Sequence, residues 1–449
     1  MVNKKQIKEL LSESACSHNE QKKSSCDKPK PGATSGGCAF EGAQIALFPF
    51  ADAVHLVHAP ATCLGASWET RATPSSYDGE NNTFLGYSTN VNTHDIIFGG
   101  NQKLEESIEY IMINKKPKAI FVYETCVTAM IGDDMDNIAN RMEIKYNIPV
   151  VVVHAPGFVG SKNLGSRLAG EAVLDKLIGT KEPTEIHPFG INLIGEYNVT
   201  GDMWQYTPIL EKIGIKIVST FAGDGRIESI QMAHRAKLNV IVCAKSLITL
   251  CRKMEERFGI PYISVSFYGK RDTTNAIRSI VNAFGDEELS RKAEAIIAVE
   301  EEALEKRLLP YREILNGKKA ILNTGGNKSW SIASALQDMG IDVVATSVAK
   351  STLEDIDIAK SYVKILMKSP ANEQAKLIDE HGVEILLAGG RSLYTAIKKK
   401  IAFVDVNQEK KISYGAYGGL ENLAKDVCAA VQNPVFSIVG TKAPWEKQI

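Results

Sequence analysis

From about residue 118 onward the chain alternates short apolar runs with amphipathic stretches. The runs Lys118–Tyr123, Pro149–Val153, Ile191–Gly195, Ile215–Thr220, Leu238–Cys243, Pro261–Ser266, Lys319–Thr324, Ile341–Thr346, Glu384–Ala388 and Ala402–Val406 are rich in Val and Ile. Most are bounded by Gly, Asn or Pro, and they read as strands. Helical spacing lies between them in Met130–Tyr146, Gly165–Ile178, Ser246–Phe258, Ser329–Met339 and Tyr394–Lys399. Such alternation predicts an α/β protein with parallel sheets covered by helices on both faces. Three Rossmann-like domains fit the number of repeats of the pattern. The charged segment Asp286–Leu315 predicts one or two solvent-facing helices that link or buttress domains.

The first 37 residues differ. Met1–Leu11 has the pattern of a polar amphipathic helix, and residues 12–37, rich in Ser, Lys, Pro and Gly, predict an extended arm. Breaks at Lys181-Glu182-Pro183-Thr184 and Asn316-Gly317-Lys318 then divide the chain into residues 1–37 (helix and arm), 38–185, 186–316 and 317–449, each α/β unit of ordinary domain size. No close sequence repeat relates the three units.

Composition narrows the function. The chain has 449 residues, 52 basic and 53 acidic, for a formal net charge of -1. That balance lacks the basic stripe of a nucleic-acid binder. No window of about 20 apolar residues suggests a membrane span, and the start lacks the apolar core of a signal peptide. A cytoplasmic location is the expectation, and there the eight cysteines are buried thiols, metal ligands or redox groups rather than structural disulfides.

Three of them sit in loops of small residues: Cys38 in Gly36-Gly37-Cys38-Ala39, Cys63 in Pro60-Ala61-Thr62-Cys63-Leu64-Gly65, and Cys126 in Glu124-Thr125-Cys126-Val127. Bare backbone lets N–H groups approach the sulfides of a metal–sulfur cluster. Cys126 follows a strand and precedes a helix predicted to begin near Thr128, a place that favours a thiolate. Cys38 and Cys63 flank a segment able to form a strand. The absence of C-x-x-C disfavours zinc ribbons and small ferredoxins. The plain alternative is three unrelated core thiols. If they do ligate a four-iron cluster, three ligands leave a fourth to come from another chain. Cys243 likewise ends a strand before a helix and is either a second ligand site or a core thiol. Cys251 and Cys428 suit packing.

The strand-following loops Phe221–Arg226, Asn323–Ser329 and Ala388–Ser392 place glycine beside polar or basic groups, which suits anionic ligands. None has nucleotide-loop spacing. Ordinary turns explain each singly; together they suggest one shared anionic ligand. His55, His58, His154 and His234 show no metal-ligand spacing and read as structural.

Over nearly its whole length the chain resembles the nitrogenase component-1 superfamily, and within it the assembly scaffolds rather than the catalytic subunits. The resemblance is carried by Ala15-Cys16-Ser17-His18-Asn19 with Lys28–Thr34, Gly37–Leu47, Thr125-Cys126-Val127 with Ile131-Gly132-Asp133-Asp134, Leu193–Asn198, Gly325–Ser331 and Asp405-Val406-Asn407-Gln408-Glu409. It implies that Cys38, Cys63 and Cys126 hold a [4Fe–4S] cluster at the interface with a homologous NifN-type subunit that supplies the fourth cysteine, in an α2β2 heterotetramer. It implies that Cys243 holds the Fe–S–carbide precursor of the iron–molybdenum cofactor in the second domain, with Arg71, Lys162, Lys245, Ser246 and Asn407 lining or approaching that pocket and the third domain closing it. Further implied partners are the nitrogenase reductase (the iron protein), a NifB-type protein delivering the precursor, and the apo form of nitrogenase component 1.

Two departures from the catalytic subunit bear on activity. Asn407 stands where that subunit anchors molybdenum with a histidine, and an amide is the poorer ligand. Ser166 stands where it has a second histidine, which removes a proton donor. The resemblance therefore implies a scaffold that holds the precursor while molybdenum and homocitrate are inserted, with no catalytic residue. The alternatives are a nitrogenase-like, reductase- and ATP-dependent enzyme acting on a small molecule, or the vanadium-system counterpart of the scaffold.

Overall fold

The computed structural model describes residues 37–68, 74–76, 85–242, 244–325, 327–348, 351, 353–367, 370–407, 410–439 and 441; the predicted arm lies outside them. The chain divides into two compact units. One gathers the described residues up to Val199 with Gly214–Ser264, and the other gathers Thr200–Ile213 with Val265 onward.

The first unit contains two all-parallel sheets. β1 (Ala53–His58), β2 (Leu85–Ser88), β3 (Ala119–Glu124) and β4 (Val150–Val153) pair in the order β2-β1-β3-β4. β5 (Gly190–Glu196), β6 (Lys216–Ala222), β7 (Leu238–Ile241) and β8 (Tyr262–Ser264) pair as β6-β5-β7-β8. The sequence of the strands explains their burial, at the sheet edge as well as its centre. Val150–Val153 is four valines, all buried. Strand periodicity sends Val151 and Val153 into one core with Phe121 and Tyr123, and Val150 and Val152 into another with Ile120 and Val122. A strand covered on both faces has no polar alternation to show.

The second unit is built on one parallel sheet, β9 (Lys319–Leu322), β10 (Asp342–Ser347), β11 (Ile365–Met367), β12 (Ile385–Ala388) and β13 (Ala402–Asp405), in the order β11-β10-β9-β12-β13. All three sheets reverse winding direction beside their first strand, between β1 and β3, β5 and β7, and β9 and β12. A crevice opens at the carboxyl ends of strands at such a point.

Three local expectations change. The segment Met130–Tyr146 is not one helix. Cys126–Ile131 ends at Gly132, whose φ of 75° is left-handed, and Met135–Tyr146 restarts behind Asp134, which caps Asn137 N–H at 3.3 Å. Glu287–Leu315 is a single 29-residue helix running through Pro310. It is not wholly solvent-facing, because Leu289, Ala293, Ile297, Leu304, Leu308 and Leu315 form a buried stripe. Short strands β2 and β11 join the predicted ones at sheet edges.

Candidate metal centre

The first sheet's reversal point carries two of the three cysteine loops. β1 and β3 lie side by side, with His58 opposite Glu124. Beyond β1 the chain turns through Pro60 into the helix Ala61–Trp68, of which Cys63 is the third residue. Beyond β3 it turns at Thr125 into Cys126–Ile131, so the helix starts at the cysteine itself and not near Thr128.

Cys38 arrives from elsewhere. It precedes the helix Ala39–Leu47, in extended conformation, and pairs as an isolated bridge with Ser161, which precedes the helix Lys162–Lys176. These two helices touch backbone to backbone. A Cβ on Gly42 would strike the Lys162 carbonyl, and one on Gly165 would strike the Ala39 carbonyl. Ser166 is buried there and donates to Gly42 O at 3.0 Å. Its hydroxyl is thus used in holding the helix pair rather than lining an open pocket.

The three thiols share one place. A Cβ on Gly157 would lie 3.0 Å from Cys126 Sγ and 3.2 Å from Cys38 Sγ, so both sulfurs border the same glycine. The Cys63 thiol is pushed up by burial first, and then by the neighbouring Cys126 and Cys38 thiols. Cys38 and Cys63 are half-buried and Cys126 is exposed. Among the described residues no three His, Cys, Asp or Glu close on a single metal ion. A mononuclear site needs sulfurs about 2.3 Å from one ion, whereas a cluster stands between its ligands and spaces them farther apart. The three thiols around a cradle that one added methyl would fill suit the latter.

Behind the loops lies a buried polar brace. His58 donates from Nε2 to Asp133 Oδ2 at 2.9 Å, the only role open to a nitrogen facing a carboxylate, and accepts at Nδ1 from Thr89 Oγ1 at 3.0 Å. Asp133 also accepts from Gly100 N–H at 2.8 Å, and the His58 carbonyl accepts from Thr125 and Thr128 hydroxyls, each at 3.0 Å. Burial pushes the His58 imidazole below its ordinary value. One histidine thus ties β1, β2, the Cys126 turn and the Gly132 break together. Nearby, His154 lies 3.2 Å from Glu124 and 2.9 Å from Asp136. The hydrogen bond to Glu124 leads in raising it to about 9.

Of the other predicted site residues, Lys162 forms an ion pair with Glu41 beside Cys38. Arg71 and Cys243 lie outside the described residues, as do the side chains of Lys245 and Ser246, which begin the helix Ala244–Phe258. The frame around residue 243 is described. It follows β7 at the second sheet's reversal point, where Val242 N–H donates to Ile194 O at 2.8 Å. Alongside, the buried Glu196 accepts from Asn198 N–H at 2.8 Å.

In the second unit Asn407 follows β13, and a Cβ on Gly389 would lie 2.8 Å from its Nδ2. Asn323, after β9, donates to Ser392 Oγ at 3.2 Å and so joins the two loops of that crevice. Thr324 Oγ1 is buried there with no partner among the described residues, and Lys328 Nζ sits 5.2 Å over the Tyr268 ring. A buried ion pair, Asp202 with Lys410, supports the loop from below. Asp202 also accepts from Tyr268 OH and Ser413 Oγ at 3.0 Å and from Tyr414 N–H at 2.8 Å. Burial alone would raise the carboxyl, but Lys410 and then Lys328 hold it below its ordinary value. The loop 221–226 belongs to the first unit and the other two glycine loops to the second. Within its loop the Arg226 guanidinium is occupied by Asp224 at 2.9 Å and by the Gly225 carbonyl at 2.9 Å.

Sequence reasoning did not find Gly157, the His58–Asp133 brace or the Asp202–Lys410 pair. Gly157 had a visible sign, a glycine just past a strand in Ala155-Pro156-Gly157. The two buried pairs join residues too far apart in sequence to show.

Three parallel sheets that each reverse beside their first strand, with three thiols gathered at the first reversal, define an architecture that comparison with known proteins identifies. The family model of nitrogenase component 1 type oxidoreductases matches residues 38–432, and the chain belongs to that family. Solved structures of nitrogenase Cp1 at pH 5 and at pH 6.5 superpose with TM-scores of 0.81, at 26% and 25% identity, covering 92% of this chain and 90% and 91% of those. More specifically, the chain is similar to the nitrogenase iron-molybdenum cofactor biosynthesis protein NifE of Nostoc sp., 46% identical over 99% of this chain and 94% of that protein. It is likewise similar to the NifE of Klebsiella pneumoniae, 42% identical over 98% of this chain and 99% of that one.

Proposed function

We propose that the chain is a scaffold subunit on which the nitrogenase iron–molybdenum cofactor matures. The likeness to NifE proteins along almost the full length supports the role, and the observation that carries the site is the meeting of Cys38 and Cys126 sulfurs at Gly157. Cys38, Cys63 and Cys126 would hold a [4Fe–4S] cluster as thiolates. When bound, that group passes single electrons.

The chain's own residues account for the rest. Cys126 is exposed and stands among exposed apolar side chains on the neighbouring helices and loop, Met130 at 79%, Phe98 at 75% and Phe158 at 57%. An apolar surface around an incomplete ligand set suits a homologous partner bringing the fourth cysteine. The precursor is cargo. In this proposal it is taken by Cys243, with Arg71, Lys162, Lys245, Ser246 and Asn407 contributing to its binding. One thiolate and an amide in place of an imidazole suit a carrier that must release what it holds.

Two variants of the complex, purified without oxygen, test this. Cys126→Ala should lower iron content and remove the cluster's EPR signal. Cys243→Ala should leave that signal and abolish precursor loading and cofactor transfer to apo component 1. Unchanged iron in the first, or unchanged loading in the second, rejects the corresponding assignment.

A further inference from the structure

Residues 74–76 lie in the sequence between the helix Ala61–Trp68, which carries Cys63, and β2, an edge strand of the first sheet. Their own bonds run to the second sheet. Asp224, in the loop after β6, accepts from Ser75 Oγ at 2.7 Å, from Ser76 N–H at 3.0 Å and from Ser76 Oγ at 2.7 Å. Asn198, in the loop after β5, donates to the Pro74 carbonyl at 3.2 Å. Arg226 Nη2 donates to Ser76 Oγ at 3.1 Å and to Asp224 at 2.9 Å. Three consecutive residues are thus clasped by two loops at the carboxyl ends of the neighbouring strands β5 and β6, the same end of that sheet from which residue 243 follows β7.

The loop that makes the clasp is itself fixed. The Asp224 side chain is 7% exposed, and its φ of 49° is left-handed, a conformation that a residue other than glycine keeps only where its surroundings impose it. Gly223 N–H donates to Glu196 O at 2.7 Å and Gly225 N–H to Pro49 O at 3.2 Å. A Cβ on Gly223 would lie 2.6 Å from the Glu196 carbonyl oxygen, and one on Gly225 would lie 2.8 Å from the Phe50 ring. The carboxylate is therefore held in one place. Burial alone would raise it, but the Ser75 and Ser76 hydroxyls, with Arg226, hold it below its ordinary value.

We propose that Asp224 is a positioning residue for the cargo, fixing through Ser75 and Ser76 the stretch of chain that carries Arg71, three residues before Pro74 in the sequence. The assignment rests on the scaffold role, in which Arg71 contributes to binding the precursor. That precursor, a sulfide-bridged metal cluster on a thiolate, is anionic, and a guanidinium meets an anion in a set geometry only where its backbone is supported. The clasp is that support. Asn in place of Asp224 keeps the shape but turns one acceptor into a donor facing the serine donors.

The complex purified without oxygen tests the proposal in Asp224→Asn, in Ser75→Ala with Ser76→Ala, and in the three combined. Arg71 is the only lysine or arginine in residues 69–84, so tryptic cleavage after it reads the hold on this stretch independently of cargo. In Asp224→Asn that cleavage should quicken about tenfold and precursor loading should fall about tenfold, while the [4Fe–4S] EPR signal stays. The serine pair should do the same, and the triple variant no more, because one interaction is being removed. Variants are compared where their melting curves match wild type; should Asp224→Asn melt lower, the serine pair carries the comparison. Unchanged cleavage overturns the proposal. Unchanged loading in Asp224→Asn beside lost loading in Cys243→Ala overturns it and leaves the scaffold role standing, whereas unchanged loading in both removes the Cys243 assignment and the proposal with it. Loss of the EPR signal together with loading, or additive losses in the triple variant, makes Asp224 a structural residue only and overturns it too.

Discussion

Single residues decide what the cysteine site can hold. Gly157 leaves clearance beside the Cys126 and Cys38 sulfurs, so Gly157→Val should drive a side chain between them. The expected outcome is iron content below about half of wild type, with a melting temperature within about 3 °C, the range of a change outside the core. Iron analysis and calorimetry check it. His55 is one group through which acid should weaken the fold. It is fully buried, bonded through Nδ1 to Tyr123 OH at 2.7 Å, and burial pushes it from 6.5 to about 3. The unfolded chain therefore binds a proton that the native chain refuses. Stability from this group is complete above pH 6.5 and falls as pH drops toward 3, by about 1.4 kcal/mol per unit. His55→Leu should flatten urea midpoints measured from pH 6.5 to pH 4.5. His154 works in the opposite sense. Raised to about 9, it contributes below pH 6.5, and that contribution is lost as pH climbs through 9.

At the scale of elements, the glycine contact between Ala39–Leu47 and Lys162–Lys176 sets where Cys38 stands. Gly165→Ala should cost about 1–3 kcal/mol by overpacking and lower iron loading with it. Ser166→Ala, losing one hydrogen bond to Gly42 O, should cost about 1 kcal/mol and leave iron unchanged. Thermal melts and iron analysis on the same samples separate the two. Strands buried on both faces were legible in the sequence even at a sheet edge, as in Val150–Val153, a run without polar interruptions. The edge strands Leu85–Ser88 and Ile365–Met367 are too short to announce themselves. The break at Gly132 was hidden because its cause is Asp133 turning toward His58, a partner in another strand. The buried stripe of Glu287–Leu315 was masked by the glutamates interleaved with it. The three cysteine segments stood out by their small residues, which suggest loops, whereas Cys63 and Cys126 fall in the first turns of helices. That two of them adjoin depends on β1 and β3 being neighbours, which strand order alone decides.

At the scale of the whole molecule, one topological device recurs. Each sheet reverses beside its first strand, and the residues singled out for chemistry follow the strands on either side: Cys63 and Cys126 after β1 and β3, residue 243 after β7, Asn323 and Ser392 after β9 and β12. The proposed sites lie at the carboxyl ends, so variants there should separate by site. Cys243→Ala and Cys126→Ala should each spare the other's cargo, since additivity holds for positions without shared partners. Mössbauer spectra of the two variants, compared with wild type, would show which iron population each one loses.

The same polarity leaves the opposite ends of the strands away from the proposed sites. The turn before β3, where Lys116 has a φ of 47° and is exposed, should accept a spliced epitope tag or fluorophore-bearing loop with little effect on metal loading. The same insert between Thr125 and Cys126 should abolish it. The amino-terminal rim of the first sheet is thus a handle by which the protein can be labelled and followed while it carries its cargo.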